Sequence, residues 1–176
     1  MSTVRVLLAV AATLSASCGG APTAPTVPAP TIAQIAGVWN GSTVVTAVSG
    51  GECVGALDQS LIGSTDPINV AITQIGSAVI AIVTSQATGV KCSFAGTVGV
   101  SNFVFNGTGC SVMAARNIRC ANGATRDMLW LAQSFTGTAS GATLTGTSGE
   151  SYDILGSFGV STGTPMVINK SFALTR

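Results

Sequence analysis

The chain contains no histidine, and that omission removes most of the familiar acid–base chemistry. A Ser-His-Asp or Cys-His arrangement has no base to work with. Lys91 and Lys170 are the two lysines, and neither is surrounded by a recognisable serine–lysine hydrolase motif. The carboxylates are Glu52, Asp58, Asp66, Asp127, Glu150 and Asp153. Glycoside hydrolysis needs two of these flanking one sugar. Glu150 and Asp153 differ in parity along one expected strand, so regular pleating sends them to opposite faces. No phosphate loop, dinucleotide fingerprint or calcium loop occurs. The residues therefore predict a protein that is not an enzyme and that carries no cofactor and no metal.

The sulfur chemistry is more informative. Five cysteines are present: Cys18, Cys53, Cys92, Cys110 and Cys120. None is spaced as CxxC, which argues against a zinc site. In an oxidising compartment the last four read as two disulfides, with three possible pairings. We favour Cys110–Cys120, a short staple around a loop, together with Cys53–Cys92.

Residues 1–17 form a separate unit. Arg5 supplies a positive charge, Val6–Leu14 an apolar stretch of nine residues, and Ser15-Ala16-Ser17 a small-residue run. Nine apolar residues cannot cross roughly 30 Å of hydrocarbon, so the segment reads as an export signal. Leu14-Ser15-Ala16-Ser17-Cys18 resembles the lipobox of bacterial lipoproteins, although Ser15 stands where that family carries an aliphatic residue. The resemblance implies that Cys18 is acylated, becomes the mature N-terminus, and anchors the protein to a bacterial envelope membrane, the outer membrane or cell surface. The alternative is ordinary signal cleavage nearby, leaving a free thiol. Four of the six prolines fall between Pro22 and Pro30, so residues 18–34 read as an extended tether between lipid and globule.

Seven basic and six acidic residues leave no basic excess for phosphate neutralisation, which excludes a nucleic-acid partner. Without Arg5 the mature chain has six of each and a net charge of zero. Arg116, Arg119 and Arg126 nevertheless fall within eleven residues and are candidates for gripping an anion; the competing reading is a solvated loop.

Residues 35–176 must position whatever chemistry exists. Hydrophobic residues are 47% of the chain but aromatics only 5%, so the apolar content is mostly aliphatic. It is punctuated by 22 glycines. Strands are expected at Val38–Val48, Ile68–Thr73, Val79–Thr84, around Phe94–Val98 and Phe103–Phe105, at Met128–Thr138, Thr143–Tyr152 and Met166–Thr175, with a short one at Ile118–Ala121. Val54–Ile62 is the only stretch that suits a turn or two of helix. Phe94-Ala95-Gly96-Thr97 recurs as Phe135-Thr136-Gly137-Thr138. Hairpins repeated without crossover helices predict an all-β, antiparallel up-and-down barrel of about eight strands, with a two-sheet sandwich as the alternative.

Gly37-Val38-Trp39, opening the first strand, resembles the Gly-x-Trp signature of lipocalins and avidin-like barrels; the second lipocalin motif, with its Thr-Asp-Tyr, is absent. The resemblance implies that Trp39 closes the barrel base against a basic side chain near the chain's end. Lys170 shares parity with Ile168, Phe172 and Leu174 and is the expected cation–π partner. Trp130 is a second candidate cavity wall, with its face undecided by parity. The functional expectation is noncovalent binding of a small apolar or amphipathic molecule. The alternative is a protein-interaction or inhibitor module with a filled barrel.

Overall fold

The computed structural model describes residues 30–50, 61–112, 114–120, 123–156 and 159–176, and of 114–119 the backbone only. The expected signal, Cys18, most of the tether, Cys53, nearly all of the Val54–Ile62 stretch and the side chains of Arg116 and Arg119 lie outside them. Among the described residues nine strands follow in order: β1 (Gly37–Ser49), β2 (Thr65–Ile75), β3 (Ala78–Ser85), β4 (Lys91–Val98), β5 (Asn102–Cys110), β6 (Ala114–Arg119), β7 (Thr125–Ser140), β8 (Thr143–Leu155) and β9 (Met166–Thr175).

Every pairing is antiparallel, and the sheet closes because β9 pairs β1 while β5 pairs β7. Nine strands make eight staves. β5 lies along Ser134–Thr138 of β7, and β6 lies farther along the same strand, opposite Thr125–Leu129. One stave is therefore split in two by the chain between Cys110 and Ala114. The up-and-down barrel is as the hairpin rhythm predicts, and the sandwich alternative falls away.

Local chemistry explains the hairpins. β2–β3 and β7–β8 each turn through two residues, Gly76-Ser77 and Gly141-Ala142. The leading glycine of each has positive φ, 60° and 57°, the primed geometry that matches strand twist. Alternation does the rest. On β3, Val79, Ala81 and Val83 are buried, while Ile80 and Ile82 between them face outward.

The end of the barrel where β1 begins is plugged. Trp39 is fully buried and donates from Nε1 to the Ile35 carbonyl at 2.8 Å. Gln74 receives the Ile35 N–H and donates to the Ala33 carbonyl, tying the incoming chain across the opening. The basic residue over Trp39 is Arg176, with its guanidinium carbon 4.7 Å from the ring centroid. This corrects the expectation for Lys170. That residue faces inward, as its parity requires, but lies six residues earlier on β9 and meets Glu150 instead. Parity gave the face; the distance along the strand, about 3.3 Å per residue, decides the partner.

Above the plug, Phe94, Phe103, Phe105, Phe135 and Phe172 form one aromatic layer, with Phe94–Phe135 at 5.2 Å and Phe103–Phe105 at 4.8 Å between centroids. The sequence repeat thus has a spatial meaning, since its two phenylalanines touch edge to face. Its glycine is equally specific. A Cβ on Gly137 would fall 2.2 Å from the Thr145 oxygen and 2.9 Å from the Phe103 ring, so only glycine admits both the neighbouring strand and the aromatic layer. A second apolar cluster, Val45, Val48, Met128, Ile154, Met166 and Ile168, occupies the opposite ends of β1, β7, β8 and β9.

Candidate functional site

Between the aromatic layer and the rim lies a cavity of about 360 Å³. Val83 and Phe135 form its floor, since both also border the packed layer beneath. Ile68, Val90 and Val112 supply apolar wall, and Val112 at the rim is 55% exposed.

A strand irregularity sets the opposite wall. β7 and β8 shift register between Trp130 and Ala132. The extra residue lets Met128 and Trp130, at even positions, point inward together with Gln133 and Phe135, at positions that strict alternation would exclude. This resolves the face of Trp130, which lines the cavity as the sequence allowed. Its indole lies against Gly107 of β5, where a Cβ would be 2.9 Å from Cζ2. Trp130 Nε1 is buried and has no hydrogen-bond partner among the described residues.

Glu150 is the centre of the polar wall. It is 7% exposed and projects inward from β8. Lys170 Nζ of β9 lies 2.6 Å from Oε1, Gln133 Nε2 of β7 donates to the same oxygen at 2.5 Å, and the Tyr152 hydroxyl donates to Oε2 at 3.0 Å. Three strands thus saturate one carboxylate, which is how a buried charge is tolerated. Burial foremost, and then the charge and hydrogen bond of Glu150, push the Tyr152 phenol far above its ordinary value, so it is a neutral donor. Asp66 also lines the cavity and accepts from the Ser85 hydroxyl at 2.9 Å. Asp153 belongs elsewhere, bound by the Ser161 hydroxyl at 2.7 Å, so the two carboxylates do part to opposite faces.

The disulfide framework differs from the expected one. Cys92 bonds Cys110 directly across β4 and β5, where the two are register partners, and the bridge lines the cavity. Both favoured pairings, Cys110–Cys120 and Cys53–Cys92, are thereby excluded. The physical reason is the split stave: β5 and β6 run on along β7 and carry Cys110 and Cys120 apart rather than folding them together. Cys120 is disulfide-bonded too, to a partner outside the described residues.

Of the arginine cluster, Arg126 donates to the carbonyl of Thr125 and stands outside the cavity wall. The backbone sets Arg119 opposite Thr125 and Ile118 opposite Arg126, so the cluster belongs to the β6–β7 pairing. Sequence reasoning missed Gln133 and Tyr152. The signal for Tyr152 was present, because it follows Glu150 by two on a strand and therefore shares its face. That for Gln133 was not, since the bulge sets its direction.

No protein-family model, curated protein or solved structure matches this chain. What the cavity does must be read from its own walls.

Proposed function

We propose that this protein is an exported, lipid-anchored barrel of the bacterial envelope that binds a small apolar or amphipathic molecule noncovalently. The observation that carries the binding reading is the cavity. A well-packed barrel of eight staves fills its interior with side chains, whereas this one leaves about 360 Å³ between its aromatic floor and its rim, within the size range of small-molecule pockets. Apolar walls with a few fixed polar groups are the usual make-up of such sites. The lipobox-like Cys18, the proline-rich tether and the Cys92–Cys110 bridge support the placement in an oxidising envelope compartment.

A second reading rests on the outer wall. Val38, Ala71 and Ile82 are register neighbours across β1, β2 and β3, and Val38 and Ile82 are 55% and 44% exposed, with Ile80 at 60% beside them. Such a strip suits contact with another protein.

Native mass spectrometry of the protein purified from its own host tests the first reading. A retained small molecule of fixed mass is expected. A bare chain mass, together with no uptake from a panel of apolar and amphipathic compounds, would overturn it and favour the outer wall. Replacing Cys18 by Ser should release the protein from membrane fractions; unchanged membrane association would sink the anchor.

A further inference from the structure

The polar wall of the cavity carries information about the head group of its occupant, an inference that rests on the binding reading above. Glu150 is already satisfied: it takes Lys170 Nζ, Gln133 Nε2 and the Tyr152 hydroxyl within 3.0 Å. Its charge is compensated inside the wall. Among the described residues, Lys170 is the cation that a ligand carboxylate reaching this cluster would bind. Sharing Lys170 would crowd two carboxylates around one ammonium in a half-enclosed space, and capturing it would leave Glu150 buried without its counter-ion. Asp66 makes the mismatch worse. Among the described residues the charged groups on the wall are one cation and two anions, so an entering anion meets an excess of its own sign.

A ligand ammonium meets both signs. Beside Glu150 it would confront the Lys170 ammonium, whereas Asp66, whose hydrogen bond from Ser85 leaves its charge in place, would attract it. An uncharged oxygen asks for none of this rearrangement. The Lys170 ammonium has three N–H donors, of which the contact with Glu150 uses one. A hydroxyl or carbonyl can accept from another without disturbing the ion pair.

We propose that the cavity selects an uncharged amphiphile, an apolar chain ending in a hydroxyl or carbonyl, over the carboxylate of the same length. The apolar chain would lie against Val83, Val90, Val112 and the Cys92–Cys110 bridge, and the polar end at the Lys170–Glu150 pair.

The test is a titration of the purified full-length protein with three probes of equal chain length, decanol, decanoate and decylamine, at neutral pH, read by calorimetry. Decanol should bind about tenfold more tightly than decanoate, and decanoate should be the weakest of the three, because like-charge contact in a poorly hydrated site is expensive. Glu150→Gln removes the anion, keeps one acceptor oxygen for Gln133, and presents an NH2 that can donate to the Tyr152 hydroxyl. It leaves Lys170 uncompensated, so the decanoate-to-decanol affinity ratio should rise by about tenfold. Decanoate binding the unaltered protein as tightly as decanol or decylamine would overturn the inference while leaving the cavity a binding site. An unchanged ratio in a folded Glu150→Gln protein would also overturn it. Should that variant fail to fold, the comparison of the three probes on the unaltered protein decides alone. Uptake of none of the three would remove the binding reading itself and this inference with it.

Discussion

Below Val83 and Phe135 the interior is filled by aromatic rings and aliphatic side chains that leave a void of only about 10 Å³; above them the same strands enclose about 360 Å³ around an ion pair. The lower half is closed by Trp39 and its ties to Ile35 and Arg176, whereas the upper half reaches the exposed Val112 at the rim. Apolar burial is the larger source of stability. The polar cluster above contributes little net stability, because the desolvation of Lys170 and Glu150 offsets their attraction. The halves therefore divide the work: the lower is packed solid, and the upper sets its cavity and polar wall beside the second apolar cluster.

That division is most easily broken at its base. Trp39→Ala removes a fully buried ring, its hydrogen bond and its contact with Arg176, and should cost about 3–5 kcal/mol in urea unfolding. A loss below about 1 kcal/mol would mean that the base does not hold the barrel.

The upper half responds differently, because its groups matter as a set. Lys170→Met leaves Glu150 charged and nearly buried without its counter-ion, which should cost about 3 kcal/mol, the low end of the usual range because Lys170 itself is 16% exposed. Adding Glu150→Gln removes the orphaned charge while keeping an acceptor for Gln133 and a donor for the Tyr152 hydroxyl, and most of that loss should be recovered. Additive losses in the double variant, measured by the same denaturation, would show that the pair is a net stabiliser and that the halves are less distinct than argued.

How much of this was written in the sequence differs between the halves for a physical reason. The lower half is periodic. Phe94, Gly96 and Val98, or Phe103 and Phe105, fall on one face by simple alternation, and the repeated Phe-x-Gly-Thr marked two strands whose rings do meet. The barrel followed from that rhythm. The upper half depends on departures from it. The register shift at Trp130 turns Gln133 inward, the split of one stave separates Cys110 from Cys120, and the choice between Arg176 and Lys170 over Trp39 is a matter of depth along β9. Parity is a local property, but depth and bulges are set by closure of the whole sheet, which no short stretch of sequence specifies. Glu150 could be named as a carboxylate; that it would be saturated by three neighbouring strands could not.

Tyr152 allows the polar half to be watched directly, since it is the chain's single tyrosine. Its phenol is held far above the ordinary value of 10.0 by burial and then by Glu150. In the unfolded chain it ionises near that value, so above about pH 10 the unfolded state binds fewer protons than the folded one and stability falls as pH rises. The slope from this group is about 1.4 kcal/mol per pH unit while only the unfolded phenol is ionised. Tyrosinate absorbance should be missing from the folded protein at about pH 11 and should appear near pH 10 in strong denaturant. Tyr152→Phe should flatten the alkaline loss of stability by the same slope. A folded protein that shows an ordinary tyrosine titration would place Tyr152 in water, outside the cluster.

The smallest effect on stability is expected at the rim, where it separates the halves most cleanly. Val112 lines the cavity yet is 55% exposed, so Val112→Ser removes little that folding buries. Its stability should remain within about 0.5 kcal/mol of the unaltered protein. A bound apolar chain would cover the same side chain, and its replacement should then weaken decanol binding by about 1 kcal/mol, roughly fivefold. Trp39→Ala is the mirror case, large in unfolding and remote from the cavity. If Val112→Ser instead lowered stability and left affinity untouched, the rim would be part of the fold's own core and the cavity would end below it.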